Sequence, residues 1–180
     1  MRVEDAAGGA GTSDSQLITI DTAPPNTVVS SIDSITNDTG ISATDFTTSD
    51  NDGLTIKATL SAALAAGEVL MYSTNGTDWI NITTSVSGNT VTHTDDGLTA
   101  TKTIYMQVRD AAGNSSASKS QTITINNAGP ATTVDITSIS NDSGVANDFI
   151  TNDSNGLTIT AQLSTELVSG ETVQYSSGRR

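Results

Sequence analysis

Cysteine is missing from this 180-residue chain, which removes disulfide frameworks and thiol chemistry together. Cationic side chains are scarce: seven Lys and Arg stand against twenty Asp and Glu, a formal net charge of -13. Nucleic acid and anionic lipid both require clustered basic residues, so neither is expected as a partner. No apolar run reaches the roughly eighteen residues of a membrane span, and membrane insertion is not expected. The opening MRVEDAAGGAG lacks the apolar centre of a secretory signal, so any export address of the parent protein is expected outside this segment.

The means of catalysis are equally thin. The single histidine, His93, sits in the strand-like run TVTHTD with no cysteine partner and no serine elbow nearby. G-x-S-x-G, H-E-x-x-H and a phosphate-cradling glycine loop are all absent. Paired carboxylates can hydrolyse a glycoside, but every acidic cluster here is repeated along the chain, and a repeated spacer has no need of an active site per copy. The chain is not expected to be an enzyme.

What the sequence does have is itself, more than once. VEDAAGGAGTSDSQLITIDTAPP (Val3 to Pro25) returns as VRDAAGNSSASKSQTITINNAGP (Val108 to Pro130), with Asp110 minus Asp5 and Gln121 minus Gln16 both giving 105. The segment from Ile35 to Ser73 returns from Ile139 to Ser176, offset by 104 at Asp142/Asp38 and by 103 at Gly156/Gly53, one residue having been lost from a loop. A period near 100 residues fits whole domains in series, not a solenoid. We therefore expect residues 1–24 to be the C-terminal strands of a truncated repeat, 25–129 a complete repeat, and 130–180 the N-terminal strands of a truncated following one.

Within the complete copy, LTIKATL (54–60) alternates Leu54, Ile56, Ala58 and Leu60 with Thr55, Lys57 and Thr59, the pattern of a strand with one buried face. EVLMYS and WINIT flank TNGTD, where Asn75-Gly76 suits a tight hairpin turn. NTVVSSI, NTVTHT, TIYMQV and SQTITI complete about seven strands, consistent with the roughly thirty threonines. No segment holds a helical period; SAALAAGE allows a turn or two at most. Seven short strands in about 100 residues predict an all-β, immunoglobulin-like β-sandwich, in tandem with its neighbours. The flanking pieces, two strands before and three after, cannot close a core alone; packing on the central unit, fraying and pairing between molecules through open edges all remain open to them.

Sixteen of the twenty acids are aspartate, and they cluster. The long loop after the first strand carries Asp38, Asp45, Asp50 and Asp52, and its later copy Asp142, Asp148 and Asp153. The linker IDTAPP carries Asp21, replaced in the next linker by Asn126-Asn127. The turn DAAGN carries Asp110, with Asp5 as its counterpart. End-to-end stacking of sandwiches is expected to bring a first loop, a linker and the next DAAGN turn together. Carboxylates gathered so repel by about 4 kcal/mol per pair at 4 Å with an effective dielectric of 20, and Ca²⁺, which takes six to eight oxygen ligands, reverses that sign. The same Asp, Asn, Gly and Thr are also ordinary turn formers. SDNDG has the look of an EF-hand, but with Gly53 at loop position six, Thr48 and Thr59 fall where Asp and Glu are required.

The order of a DTAP linker, NDTG…TD…T.D after the first strand, an NG.DW hairpin and a closing V.DAAGN resembles the bacterial Ig-like repeats of giant type I-secreted, RTX-associated adhesins, over essentially the whole chain to Tyr175. The resemblance implies a secreted or cell-surface extender, stiffened by calcium against neighbouring repeats, that holds an adhesive tip toward a host or abiotic surface. It implies as Ca²⁺ ligands Asp21, Asp38, Asp45, Asp50, Asp52, Asp110, Asp142, Asp148 and Asp153. The Asn126-Asn127 linker departs from the pattern and implies weaker binding there. The competing expectation is a ligand- or carbohydrate-binding adhesion module. Such sites use exposed aromatic platforms, and aromatics are 3% of this chain; Trp79 and Tyr72 read as a cross-strand packing pair. The N-x-S/T sequences at Asn75 and Asn114 read as turn chemistry.

Overall fold

The computed structural model describes residues 1–177; residues 178–180, the end of the expected third piece, lie outside it. The chain is all-β. Nine strands fall between residues 29 and 125: β1 (Val29–Ile35), β2 (Thr47–Thr48), β3 (Leu54–Leu60), β4 (Val69–Ser73), β5 (Ile80–Asn81), β6 (Val86–Ser87), β7 (Thr90–Asp95), β8 (Lys102–Arg109) and β9 (Lys119–Ile125). They form two sheets, β1-β3-β7-β6 and β2-β9-β8-β4-β5. All pairings are antiparallel except β2 with β9, which is parallel. The seven sequence-expected strands are all present; β2 and β6 are added, each two residues long and too short to leave a periodic signal.

The inward faces of the two sheets make the core. Leu54, Ile56, Ala58 and Leu60 of β3 are buried, as their alternation predicts, and meet Leu70 and Tyr72 of β4, Ile104, Met106 and Val108 of β8 and Ile123 of β9. Leu98 and Ile82 are also buried in this cluster. Tyr72 lies opposite Ile80, not Trp79, and turns inward, so the expected Tyr72–Trp79 pair gives way to a tilted contact with the His93 ring at 4.8 Å. Its hydroxyl donates to Asp95 Oδ2 at 2.8 Å, tying β4 in one sheet to the end of β7 in the other. Burial and the Asp95 carboxylate together push the phenol far above its ordinary pKa.

The Asn75-Gly76 turn is wider than a two-residue hairpin. Asn75 Oδ1 accepts the N–H groups of Thr77 and Asp78, so the side chain, not a tight backbone turn, organises residues 74–79. Residues 61–68 form turns without a helix.

Outside this body the chain is open. Residues 130–177 hold a two-stranded hairpin, β10 (Val134–Ile139) with β11 (Ile159–Leu163). Its register places Ile136 opposite Ala161 and shifts before Ser138, as β1 and β3 place Ile32 opposite Ala58 and shift before Ser34. The third strand expected there does not form among the described residues. Residues 1–20 make an isolated bridge, Glu4 with Ala10, and the strand expected from SQLITI (15–20) does not form. A strand is stabilised by what covers it, and neither piece has a second sheet.

Equal sequences therefore have unequal fates. Ile123 is 0% exposed, whereas Ile18, its counterpart 105 positions earlier, is 81% exposed. Ile123→Ala is expected to cost about 2–5 kcal/mol, and Ile18→Ala less than about 0.5 kcal/mol, measured by urea unfolding in dilute solution.

Candidate functional site: the first loop and the ends of the sandwich

β1 runs from one end of the sandwich to the other and delivers the chain into the loop of residues 37–53. This loop is built from side-chain-to-backbone hydrogen bonds, because a surface segment without a ladder must satisfy its own amides. Thr48, 1% exposed, is the hub: its Oγ1 donates to Asn37 O and accepts the Asp50 N–H. Asn37, in the left-handed region at φ 52°, donates Nδ2 to Asp50 Oδ2 at 2.7 Å. Asp45 Oδ1 accepts the Thr47 N–H at 2.9 Å, and Asp50 Oδ1 accepts the Asp52 N–H at 3.3 Å. Gly53 (φ 107°) closes the loop; a Cβ there would stand 2.8 Å from the Asp96 Cα, a contact only glycine avoids.

The later loop repeats this wiring. Asn141 (φ 54°) donates to Asp153 Oδ2, Thr151 Oγ1 donates to Asn141 O and accepts the Asp153 N–H, and Asp148 Oδ1 accepts the Ile150 N–H. Phe46 and Phe149 both sit at positive φ, 60° and 59°, a costly backbone state for a bulky residue. Sequence reading singled out the aspartates and missed Asn37, Thr48, Asn141 and Thr151; their recurrence at fixed spacing was the available signal.

One group in each loop is left over. Asp38 Oδ2 accepts the Phe46 N–H and Asp142 Oδ2 the Asn147 N–H, but Asp38 Oδ1 and Asp142 Oδ1 are buried and have no protein hydrogen-bond partner. A buried acceptor without a donor costs free energy, more so on a carboxylate.

Electrostatics divide the remaining acids. The hydrogen bonds from Asn37 and Asp52 hold Asp50 below the usual carboxylate range, while Asp52, beside the Asp50 carboxylate, is pushed up. Asp153 is held down by Asn155 and Asn141. In the DAAGN turn, Asp110 accepts Asn114 N at 2.8 Å and Asn114 Nδ2 at 3.0 Å, and these bonds lower its pKa.

The ends of the sandwich sort the clusters. The first loop, the β9 terminus and the linker after it share one end: Asn126 N donates to Thr48 O at 2.8 Å. A cleft of about 590 Å³ opens there, lined by Asp45, Thr47, Asn126, Pro130, Gly170 and Glu171 among others. The DAAGN turn lies at the opposite end, against the 64–68 loop, where a Cβ on Gly67 would be 3.2 Å from Ala111 Cβ. Asn114 Nδ2 reaches the Asp21 carbonyl at 3.2 Å, while the Asp21 side chain accepts the Ala23 N–H. The first loop thus meets the linker that follows the sandwich at one end, and the DAAGN turn meets the linker that precedes it at the other; neither junction in this chain contains a first loop, a linker and the following repeat's DAAGN turn together. Among the described residues no three His, Cys, Asp or Glu side chains converge on a point that could hold a metal.

His93 is half-buried on β7, with Nδ1 3.4 Å from Ser85 Oγ; burial lowers its pKa and Asp95 partly offsets this. No helix among the described residues is long and apolar enough to cross a membrane. No family model, curated protein or solved structure matches the chain.

The loop wiring makes two expectations. Thr48→Val, close in shape but without the hydroxyl, strands Asn37 O and the Asp50 N–H and is expected to lower stability by about 1–3 kcal/mol in chemical denaturation. Asp110, held below its free value of 3.8, favours the fold in its ionised form. That contribution is complete above pH 3.8 and is lost as pH falls through the lower folded value. Asp110→Asn is therefore expected to melt below the parent at neutral pH, with the two melting temperatures converging in acid.

Proposed function

We propose that this chain is a structural, non-enzymatic extender of a bacterial cell-surface adhesin, made of immunoglobulin-like sandwiches in tandem and stiffened by Ca²⁺ at the first loops and junctions. The observation that carries the extender reading is the path of the chain. It enters the central sandwich at Val29, at the end holding the DAAGN turn, and leaves at Ile125, at the end holding the first loop. A module entered at one end and left at the other adds length with each copy. The strand order supports the immunoglobulin-like assignment: β1, β3, β7 and β6 fall where strands A, B, E and D lie, and β9, β8 and β4 where G, F and C lie.

The calcium part rests on narrower ground. Asp38 Oδ1 and Asp142 Oδ1, buried and without a donor in two loops of the same wiring, are acceptors that a hard cation would satisfy. Asp50 and Asp52 form the adjacent acidic pair, and loop carbonyls and hydroxyls are the remaining oxygen donors. Asp45, Asp148, Asp153, Asp110 and Asp21 already accept hydrogen bonds from their own turns. Asp45, Asp148 and Asp21 would keep one oxygen for that bond and offer the other, whereas Asp110 and Asp153 have both oxygens engaged by Asn114 and by Asn155 and Asn141 and would have to give up a bond to join. Bound Ca²⁺ would supply positive charge to a chain of net charge -13, with affinity on the order of 10⁻⁴–10⁻³ M as in extracellular modules.

The carbohydrate-binding alternative loses one of its two aromatic candidates, because Tyr72 is 2% exposed. Saturating Ca²⁺ is expected to raise the melting temperature, by the equivalent of about 2.7 kcal/mol at a hundred times Kd, and Asp38→Asn to remove most of that gain. Identical melting with Ca²⁺ and with chelator would rule calcium out and leave the loop a hydrogen-bonded turn.

A further inference from the structure

We propose that Asn155 is a modification site, an amide that converts with water as the only co-reactant into the fourth acid of the later loop. The two loops match acid for acid except here. Asp38, Asp45 and Asp50 have counterparts in Asp142, Asp148 and Asp153, whereas Asp52, shifted by the 103 positions that relate Gly53 to Gly156, falls on Asn155. The local wiring is shared: Asp50 Oδ1 accepts the Asp52 N–H, and Asp153 Oδ1 accepts the Asn155 N–H at 2.8 Å. The position therefore holds its backbone in the same way whether the side chain is an acid or an amide.

Asparagine is a labile side chain, and most so before glycine, where no Cβ screens the next backbone nitrogen. In the first step Gly156 N attacks Asn155 Cγ. The new N–C bond closes a cyclic imide, the Cγ–Nδ2 bond breaks, and the Gly156 N proton leaves with Nδ2 as ammonia. Water then opens the ring. Cleavage at Cγ gives aspartate, cleavage at the Asn155 backbone carbonyl carbon gives isoaspartate, and both products carry a carboxylate. An amide nitrogen leaves, a water oxygen enters, and nothing is oxidised or reduced.

Asn-Gly occurs twice in the chain, at 75–76 and 155–156, and the structure separates the two. Asn75 Oδ1 accepts the Thr77 and Asp78 N–H groups, and its Nδ2 donates to Asp78 Oδ2 at 2.7 Å. Gly76 N–H, the group that would attack, donates to Ser73 Oγ at 2.9 Å. Ring closure there must first break these bonds. Asn155 is held only through its own N–H, and among the described residues the Gly156 N–H has no hydrogen-bond partner. Asp52, the counterpart within the closed sandwich, is exposed, and the Gly53 N–H is likewise without a partner among the described residues. Covering this unit with a second sheet thus leaves the position open to water. Conversion adds a negative charge beside Asp153 where the first loop carries Asp52 beside Asp50.

The test holds the folded 180-residue chain at mildly alkaline pH in oxygen-labelled water and maps label uptake by peptide mass spectrometry. Added chelator keeps it independent of calcium. Uptake at Asn155 is expected to run about tenfold or more ahead of uptake at Asn75, the factor set by the hydrogen bonds the latter must give up. In urea the two sites are expected to react alike. Isoelectric focusing of the aged chain is expected to show an acidic shift that Asn155→Asp reproduces at the outset and Asn155→Gln abolishes. Equal rates at the two sites in the folded chain, a difference that persists in urea, an Asn155 that stays intact while other asparagines convert, or an acidic shift that survives Asn155→Gln would each overturn the proposal.

Discussion

A β-sheet with one apolar face persists only when something covers that face, and this requirement divides the molecule. Between residues 29 and 125 two sheets cover each other, and Leu54, Ile56, Leu70, Val91, Ile104 and Ile123 disappear from solvent together. Burial of such side chains contributes roughly 1.5–3 kcal/mol each, a favourable term that the uncovered flanks do not gain. On either side the same kinds of residue stand in the same order without a second layer, and the structure thins to a hairpin in one piece and a bridged turn in the other. The tie from Tyr72 to Asp95 has the same dependence: it spans two sheets and exists only where both do.

The aspartates are governed by a different constraint, the demand of loop amides for acceptors. Asp45, Asp50, Asp110, Asp148 and Asp153 are each spent, at least on one oxygen, in holding a nearby N–H. An acid used this way shapes the loop whether or not a cation arrives. Asp38 and Asp142 differ because their second oxygen is enclosed and unanswered. Each loop therefore combines a hydrogen-bonded frame with one buried carboxylate oxygen that no protein donor meets.

Much of the fold was legible in advance. LTIKATL shows its alternation plainly, and β3 occupies those seven residues with the expected face inward. The short strands β2 and β6 were not, since two residues carry no period. Trp79 and Tyr72 misled because proximity across a turn says nothing of which face each takes; the register puts Ile80 opposite Tyr72. In the first loop the acids were visible, but their partners Asn37 and Thr48 were not, because their roles depend on a left-handed backbone and a buried hydroxyl.

The sequence by itself determined the strand content, the spacing near 104 residues, the strongly acidic charge and the positions of the acid-rich turns, all of which follow from local pattern and composition. Only the tertiary structure decided which copies of a strand are buried, which face Tyr72 takes, and which carboxylate oxygens go unpaired. Burial, side-chain facing and hydrogen-bond satisfaction are properties of neighbours distant in the chain, and a linear text does not record who those neighbours are.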